Sequence, residues 1–133
     1  MRRITLLALV GLAFVARDAV GQSQEPVTDG RPLSAWIADL KALAPQLRNA
    51  AAYEISGLGP AAVAAVPALI EALGDPVAAV RYPVCVALRE IGPGAKDAVP
   101  ALTEVLDDRN DDVAAIARKA IIAITGTDPR PFR

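Results

Sequence analysis

Apolar side chains recur along this chain at a fixed interval that is much longer than the period of a helix or a strand. When the sequence is shifted by 33 positions, apolar residues fall on apolar residues from Leu33 to Ile124 without a gap. A period of this length indicates repeated supersecondary units. Seven positions keep the pattern in three units: Leu33, Val66 and Val99; Trp36, Leu69 and Leu102; Leu40, Leu73 and Leu106; Leu47, Val80 and Val113; Ala51, Val84 and Ala117; Ile55, Leu88 and Ile121; Leu58, Ile91 and Ile124.

Within each unit, these positions are spaced as on one face of a helix. Steps of three, four and seven residues separate them, which predicts two short amphipathic helices per unit. In the second unit we expect helices over 63–73 and 78–91. One helix pair cannot bury its apolar face alone. We therefore predict an all-α fold, a short α-solenoid of three stacked helix pairs over about 30–60, 63–93 and 96–126.

Helix-breaking and capping residues stand where this arrangement needs them. Gly59 and Gly92 directly follow the second helix of a unit, and each precedes a proline. They predict the end of that helix and a turn into the next unit. Asn110 precedes two aspartates and is an expected helix N-cap. Pro83 falls inside a predicted helix, where its missing N–H group predicts a kink.

The first 21 residues have the pattern of a secretory signal peptide. Arg2 and Arg3 precede an apolar run over 4–16, and Ala19 and Gly21 place small residues before a cleavage site. The run is too short to span a bilayer. We expect an exported protein, periplasmic or extracellular, without stable membrane insertion after cleavage; a short uncleaved anchor is the alternative. A linker is predicted over 22–29 and a C-terminal tail over 127–133.

The composition excludes several kinds of functional site. The chain has no histidine, so an imidazole base or imidazole metal ligand is excluded. Its 14 basic and 15 acidic residues nearly cancel, and nothing predicts a nucleic-acid partner. The single cysteine, Cys85, is interpreted as a packing residue. Acidic residues at 107–108 and 111–112 lack the spacing of a calcium loop, so we predict no catalytic, cofactor or metal site.

Three short segments carry a family resemblance. Residues 75–81 read DPVAAVR, and residues 65–69 and 98–102 both read AVPAL. These segments resemble the HEAT repeat, in particular the bacterial form called the PBS lyase HEAT-like repeat. Residues 30–40 are similar to a first unit found in exported bacterial proteins. The resemblance covers about 30–126 and implies a right-handed superhelix.

The resemblance also implies an ion-pair ladder, a series of Arg–Asp pairs that join neighbouring units. Asp75 and Asp108 match the family's aspartate position, and Arg48 and Arg81 match its arginine position. We expect Arg48 to meet Asp75 and Arg81 to meet Asp108. Ala114 departs from the arginine position in the third unit, which has no following unit to join.

The function implied by the resemblance is a non-catalytic scaffold that binds another protein. Two alternatives stay open. One is a lyase-type enzyme or accessory protein resembling the bilin lyases, and the other is a structural subunit that self-associates through its open repeat ends. For the scaffold we predict a mildly basic strip beside the apolar face of the second helices, comprising Arg48, Arg81, Tyr82, Arg89 and Arg118.

Overall fold

The computed structural model describes residues 24–130. The predicted signal peptide over 1–21 lies outside this part, as do residues 22–23 of the predicted linker and 131–133 of the predicted tail. Within residues 24–130, none of the helices combines the length and the hydropathy needed to cross a membrane.

Three helix pairs follow one another along the chain, which confirms the predicted all-α solenoid. The second helix of each unit is about twice as long as the first. The helices are α1 (Leu33–Asp39) and α2 (Pro45–Gly57) in unit one, α3 (Val66–Ala72) and α4 (Ala78–Ile91) in unit two, and α5 (Val99–Val105) and α6 (Asp111–Thr125) in unit three.

The turns between units are longer and more regular than the sequence predicts. Two 3₁₀ helices, Gly59–Ala65 and Gly92–Ala98, join one unit to the next. Gly59 and Gly92 have φ angles of +56° and +73°, so they end the preceding helix in a conformation that favours glycine. The proline after each glycine then begins the 3₁₀ helix. The first helix of unit two therefore starts at Val66 rather than at residue 63.

Part of the predicted linker is a folded hairpin. Strands β1 (Val27–Thr28) and β2 (Arg31–Pro32) pair antiparallel around Asp29 and Gly30, whose φ angles are +47° and +70°. An Asp-Gly pair with positive φ is a common hairpin turn. Counting back 33 residues from the first 3₁₀ helix reaches residues 26–32, so the hairpin stands in unit one where the other units have a 3₁₀ helix.

The second helices form the central layer of the solenoid. Helix α4 lies between α2 and α6 and packs extensively against both. Several buried side chains of these helices are small, and Ala51, Ala87 and Ala117 are fully buried. Small residues allow helix axes to approach closely, and larger buried side chains such as Leu69 of α3 and Leu88 of α4 fill the core.

Helix α4 continues through Pro83 without a break. Proline has no N–H group to donate to the carbonyl four residues earlier, which belongs to Ala79. That carbonyl oxygen instead accepts a hydrogen bond from Asn49 Nδ2 of helix α2, at 2.6 Å. The neighbouring unit thus supplies the donor that the helix itself lacks.

The outer face of α2 is open at the N-terminal end of the stack. Leu47 is 53% exposed, whereas Val80 and Val113, at the same position in units two and three, are 0% and 1% exposed. In those units the position is covered by the preceding second helix. Burial at this position therefore depends on a neighbour and not on residue type.

We expect Leu88→Ala to lower the free energy of unfolding by about 2–5 kcal/mol, because it leaves a cavity in the core. The same change at Leu47 should alter it by less than about 0.5 kcal/mol, since an exposed side chain loses little burial. Urea denaturation of both variants measures the difference. A large effect at Leu47 would mean that another molecule covers this face in solution.

Candidate interaction surface

Two Arg–Asp pairs join the loops of neighbouring units. Arg48 Nε lies 2.6 Å from Asp75 Oδ2, and Arg81 Nε lies 2.8 Å from Asp108 Oδ2. In each pair, Nη2 of the arginine also donates to the other carboxylate oxygen, at 3.2 and 3.0 Å respectively. Both pairs of the ion-pair ladder are therefore bidentate, the geometry that the planar guanidinium group favours.

The ladder also involves the backbone of the loops. Arg81 Nη1 donates to the carbonyl oxygen of Asp75 in its own unit, and Arg48 Nη1 donates to that of Ala42, both at 2.8 Å. Asp75 Oδ1 in turn accepts from the N–H of Val77 at 2.9 Å. Each ladder arginine thus holds its own loop and the next one, and the connection runs across all three units.

The structure does not bring the five residues of the predicted basic strip into one surface. The side chains of Arg48 and Arg81 are only 13% and 10% exposed because they point into the ladder. Arg89 pairs with Glu90 at 2.7 Å, and Arg118 pairs with a residue of the C-terminal tail. All four guanidinium groups are engaged within the chain. Arg48 and Arg81 therefore serve the ladder, and the strip as a binding surface stays a prediction.

The C-terminal tail folds back onto the third unit. Arg118 Nε donates to Asp128 Oδ1 at 2.8 Å, and Arg130 Nη2 donates to Asp107 Oδ1 at 2.6 Å. The hydrogen bond from Arg118 lowers the pKa of Asp128 to about 2. Arg118 occupies the position that Ala52 and Cys85 fill in the other units. The tail therefore lies on the side of α6 where a fourth unit would pack.

A groove between α4 and α6, here called the inner groove, is lined by residues of these two helices and by Asn110 before α6. Its lining includes the half-buried Tyr82, the exposed Ala79 and Ala115, and the buried Ile116. Two charged side chains, Asp112 and Lys119, also line it. Of the five residues in the predicted strip, Tyr82 alone lines this groove.

The comparisons with known proteins agree with this repeat architecture. The family model for HEAT repeats matches residues 33–122. The chain belongs to the HEAT-repeat family. This HEAT-repeat chain is also similar in structure to an engineered protein solved by the Northeast Structural Genomics Consortium, with a TM-score of 0.63 and 18% identity over 69% of this chain. It spans 44% of that longer chain, and this likeness shows the fold alone. No curated protein matches.

The single thiol of the HEAT-repeat protein is in the core. Cys85 lies in α4 and is fully buried. Burial raises the pKa of its thiol to about 12, which disfavours the reactive thiolate form at neutral pH. Among residues 24–130, no three His, Cys, Asp or Glu side chains lie close enough to hold a metal ion.

The first unit of the HEAT-repeat protein carries its tryptophan in the core. Trp36 is 7% exposed, and its Nε1 donates to the carbonyl oxygen of Thr28 in the hairpin at 3.2 Å. The guanidinium carbon of Arg31 lies 4.0 Å from the centre of the ring. Trp36 therefore fixes the hairpin to α1, in keeping with its place among the repeated apolar positions.

The ladder favours the ionised form of both of its carboxylates. The hydrogen bond from Arg81 lowers the pKa of Asp108, and the same contact raises the pKa of Arg81. Burial opposes ionisation of Asp75, but the hydrogen bonds from Arg48 and from the N–H of Val77 outweigh it and lower the pKa of Asp75. Both ladder pairs are therefore charged at neutral pH.

A double-mutant cycle with Arg81→Gln and Asp108→Asn should give a coupling free energy of about 1–3 kcal/mol at pH 7, from urea denaturation. Because folding lowers the pKa of Asp108, this coupling is complete above the ordinary aspartate pKa of about 4 and declines as the pH falls through the lowered pKa of the folded state.

The matched control is the exposed pair Arg89–Glu90, for which the same cycle should give at most about 0.5 kcal/mol. Equal coupling in the two cycles would contradict a special role for the ladder.

Proposed function

We propose that this protein is an exported, non-catalytic scaffold that binds another protein through the inner face of its second helices. The observation that carries the proposal is the inner groove. It is the place where exposed small side chains, a tyrosine and two charged residues meet between two rigid helices. Tyrosine is a common interface anchor, and exposed alanines leave room for a partner's side chains.

The distribution of charged residues also favours partner binding at the inner groove. The arginines first considered for binding are held by Asp75, Asp108, Glu90 and Asp128. Asp112 and Lys119 form no ion pair within residues 24–130 and are exposed. A partner on the inner groove therefore gains charged contacts without having to break an existing pair.

The two alternatives have less support. A lyase-type activity that works through a thiol has only Cys85 to use, and its side chain is fully buried. End-to-end stacking needs an open face on α6, but the tail places Asp128 against Arg118 there. Binding through the inner groove requires neither a reactive group nor displacement of the tail.

We expect Ala115→Arg to abolish capture of the partner, because it fills the middle of the inner groove with a long charged side chain. The test is crosslinking in the native host with affinity-tagged protein, followed by mass spectrometry. Ala64→Arg, on the exposed 3₁₀ helix outside the groove, is the control and should capture the same partner as wild type. Equal capture by both variants would place the binding surface elsewhere.

Export rests on the sequence of residues 1–21 and has its own test. We expect the protein expressed in a bacterial host with an export pathway to leave the cytoplasm. Mass spectrometry of the intact product should show a chain that begins at Gln22. A full-length product that stays in the cytoplasmic fraction would contradict export and leave the binding proposal untouched.

A further inference from the structure

The inner groove has opposite charges at its two ends. Asp112 and Lys119 lie on the same face of α6, seven residues apart, which is two helical turns or about 10 Å along the axis. Asp112 stands near the N-terminus of α6, and Lys119 stands past its middle. A ligand that follows the groove therefore meets a negative charge at one end and a positive charge at the other.

The part of the groove between these charges is apolar and shallow. Ala115 is exposed and small, the neighbouring Ile116 is 4% exposed, and Ala79 adds a second small side chain at the Asp112 end. Asn110 also lines the groove, but its side chain caps α6 by accepting from the N–H groups of Asp112 and Val113. A space between two packed helices that is lined by small side chains accepts the apolar side of a third helix.

We propose that the inner groove binds an amphipathic helix of the partner protein that runs antiparallel to α6. This inference rests on the proposed scaffold function and specifies the partner's chemistry. An acidic residue of the partner helix lies beside Lys119, and a basic residue seven positions later lies beside Asp112. Apolar residues three and four positions after the acidic one lie on Ala115 and beside Tyr82.

The antiparallel direction follows from the charge preference of helices. Acidic residues stabilise the N-terminal part of a helix and basic residues the C-terminal part. In a partner helix with an acidic residue first and a basic residue two turns later, both charges interact favourably with the dipole of that helix. When the partner helix is antiparallel to α6, its acidic residue also lies beside Lys119 and its basic residue beside Asp112. In a parallel partner helix, the order that matches Asp112 and Lys119 would be a basic residue first and an acidic residue second. That order is unfavourable for the dipole of the partner helix.

The test uses a displayed library of helical peptides with leucine at positions 4 and 5 of an eight-residue window and random residues at positions 1 and 8. Selection on the mature wild-type chain should enrich an acidic residue at position 1 and a basic residue at position 8. The preferred order should bind about tenfold more tightly than the reverse, as expected for about 1.4 kcal/mol from two exposed charge pairs.

The double variant Asp112→Lys, Lys119→Asp exchanges the two charges and should reverse this preference by a similar factor. Both residues are exposed, so circular dichroism should match wild type, and urea denaturation should show a loss of at most about 1 kcal/mol from placing a lysine in the first turn of α6. The variant Ala115→Arg should bind neither peptide order.

Enrichment of the same charge order on wild type and on the exchanged variant would overturn the inference, and so would the absence of any enriched helix. In either case, native partner capture that Ala115→Arg abolishes would leave the scaffold function standing. If Ala115→Arg instead captures the native partner as well as wild type does, the scaffold function proposed for the inner groove is itself contradicted.

Discussion

The stacking of each second helix on the next is the interaction on which the whole molecule depends. Helix α4 has apolar or small residues on two opposite sides, and neither side is buried unless α2 and α6 are present. Hydrophobic burial of this kind acts between neighbouring units and not within one unit. The chain therefore has no separate core for each helix pair, and its stability is shared along the stack.

The ion-pair ladder fixes how the units are oriented once they stack. Apolar contacts between smooth, alanine-rich helix faces set the distance between helices but only weakly set their rotation and sliding. Arg48 and Arg81 add directional contacts, since each binds a carboxylate of the next loop and a carbonyl of its own. The loops thus keep the register that allows the inner groove to be formed by α4 and α6.

Periodicity alone predicted the helix pairs, because burial in a stack imposes the same requirement on each unit. The family pattern placed Arg48 near Asp75 because the contact between the loops of neighbouring units also recurs along a stack. The hairpin was missed although Asp29-Gly30 is a turn signal, since the absence of an apolar period favoured a linker. The burial of Arg48 and Arg81 does not follow from the helix pattern, because an arginine beside an apolar face has the same spacing in the sequence whether it faces solvent or an aspartate. Asp128, which holds Arg118, lies outside the repeat and has no counterpart in the other units.

The hydrogen bond from Asn49 to Ala79 makes a feature of α4 depend on the sequence of α2. Pro83 leaves the carbonyl oxygen of Ala79 without its usual partner inside the helix, and Asn49 Nδ2 supplies a donor from the preceding unit. A unit that carries this proline is therefore matched to a predecessor with an amide side chain at the position of Asn49. Recombining the units of such a solenoid would separate the proline from its donor and leave the carbonyl oxygen to solvent.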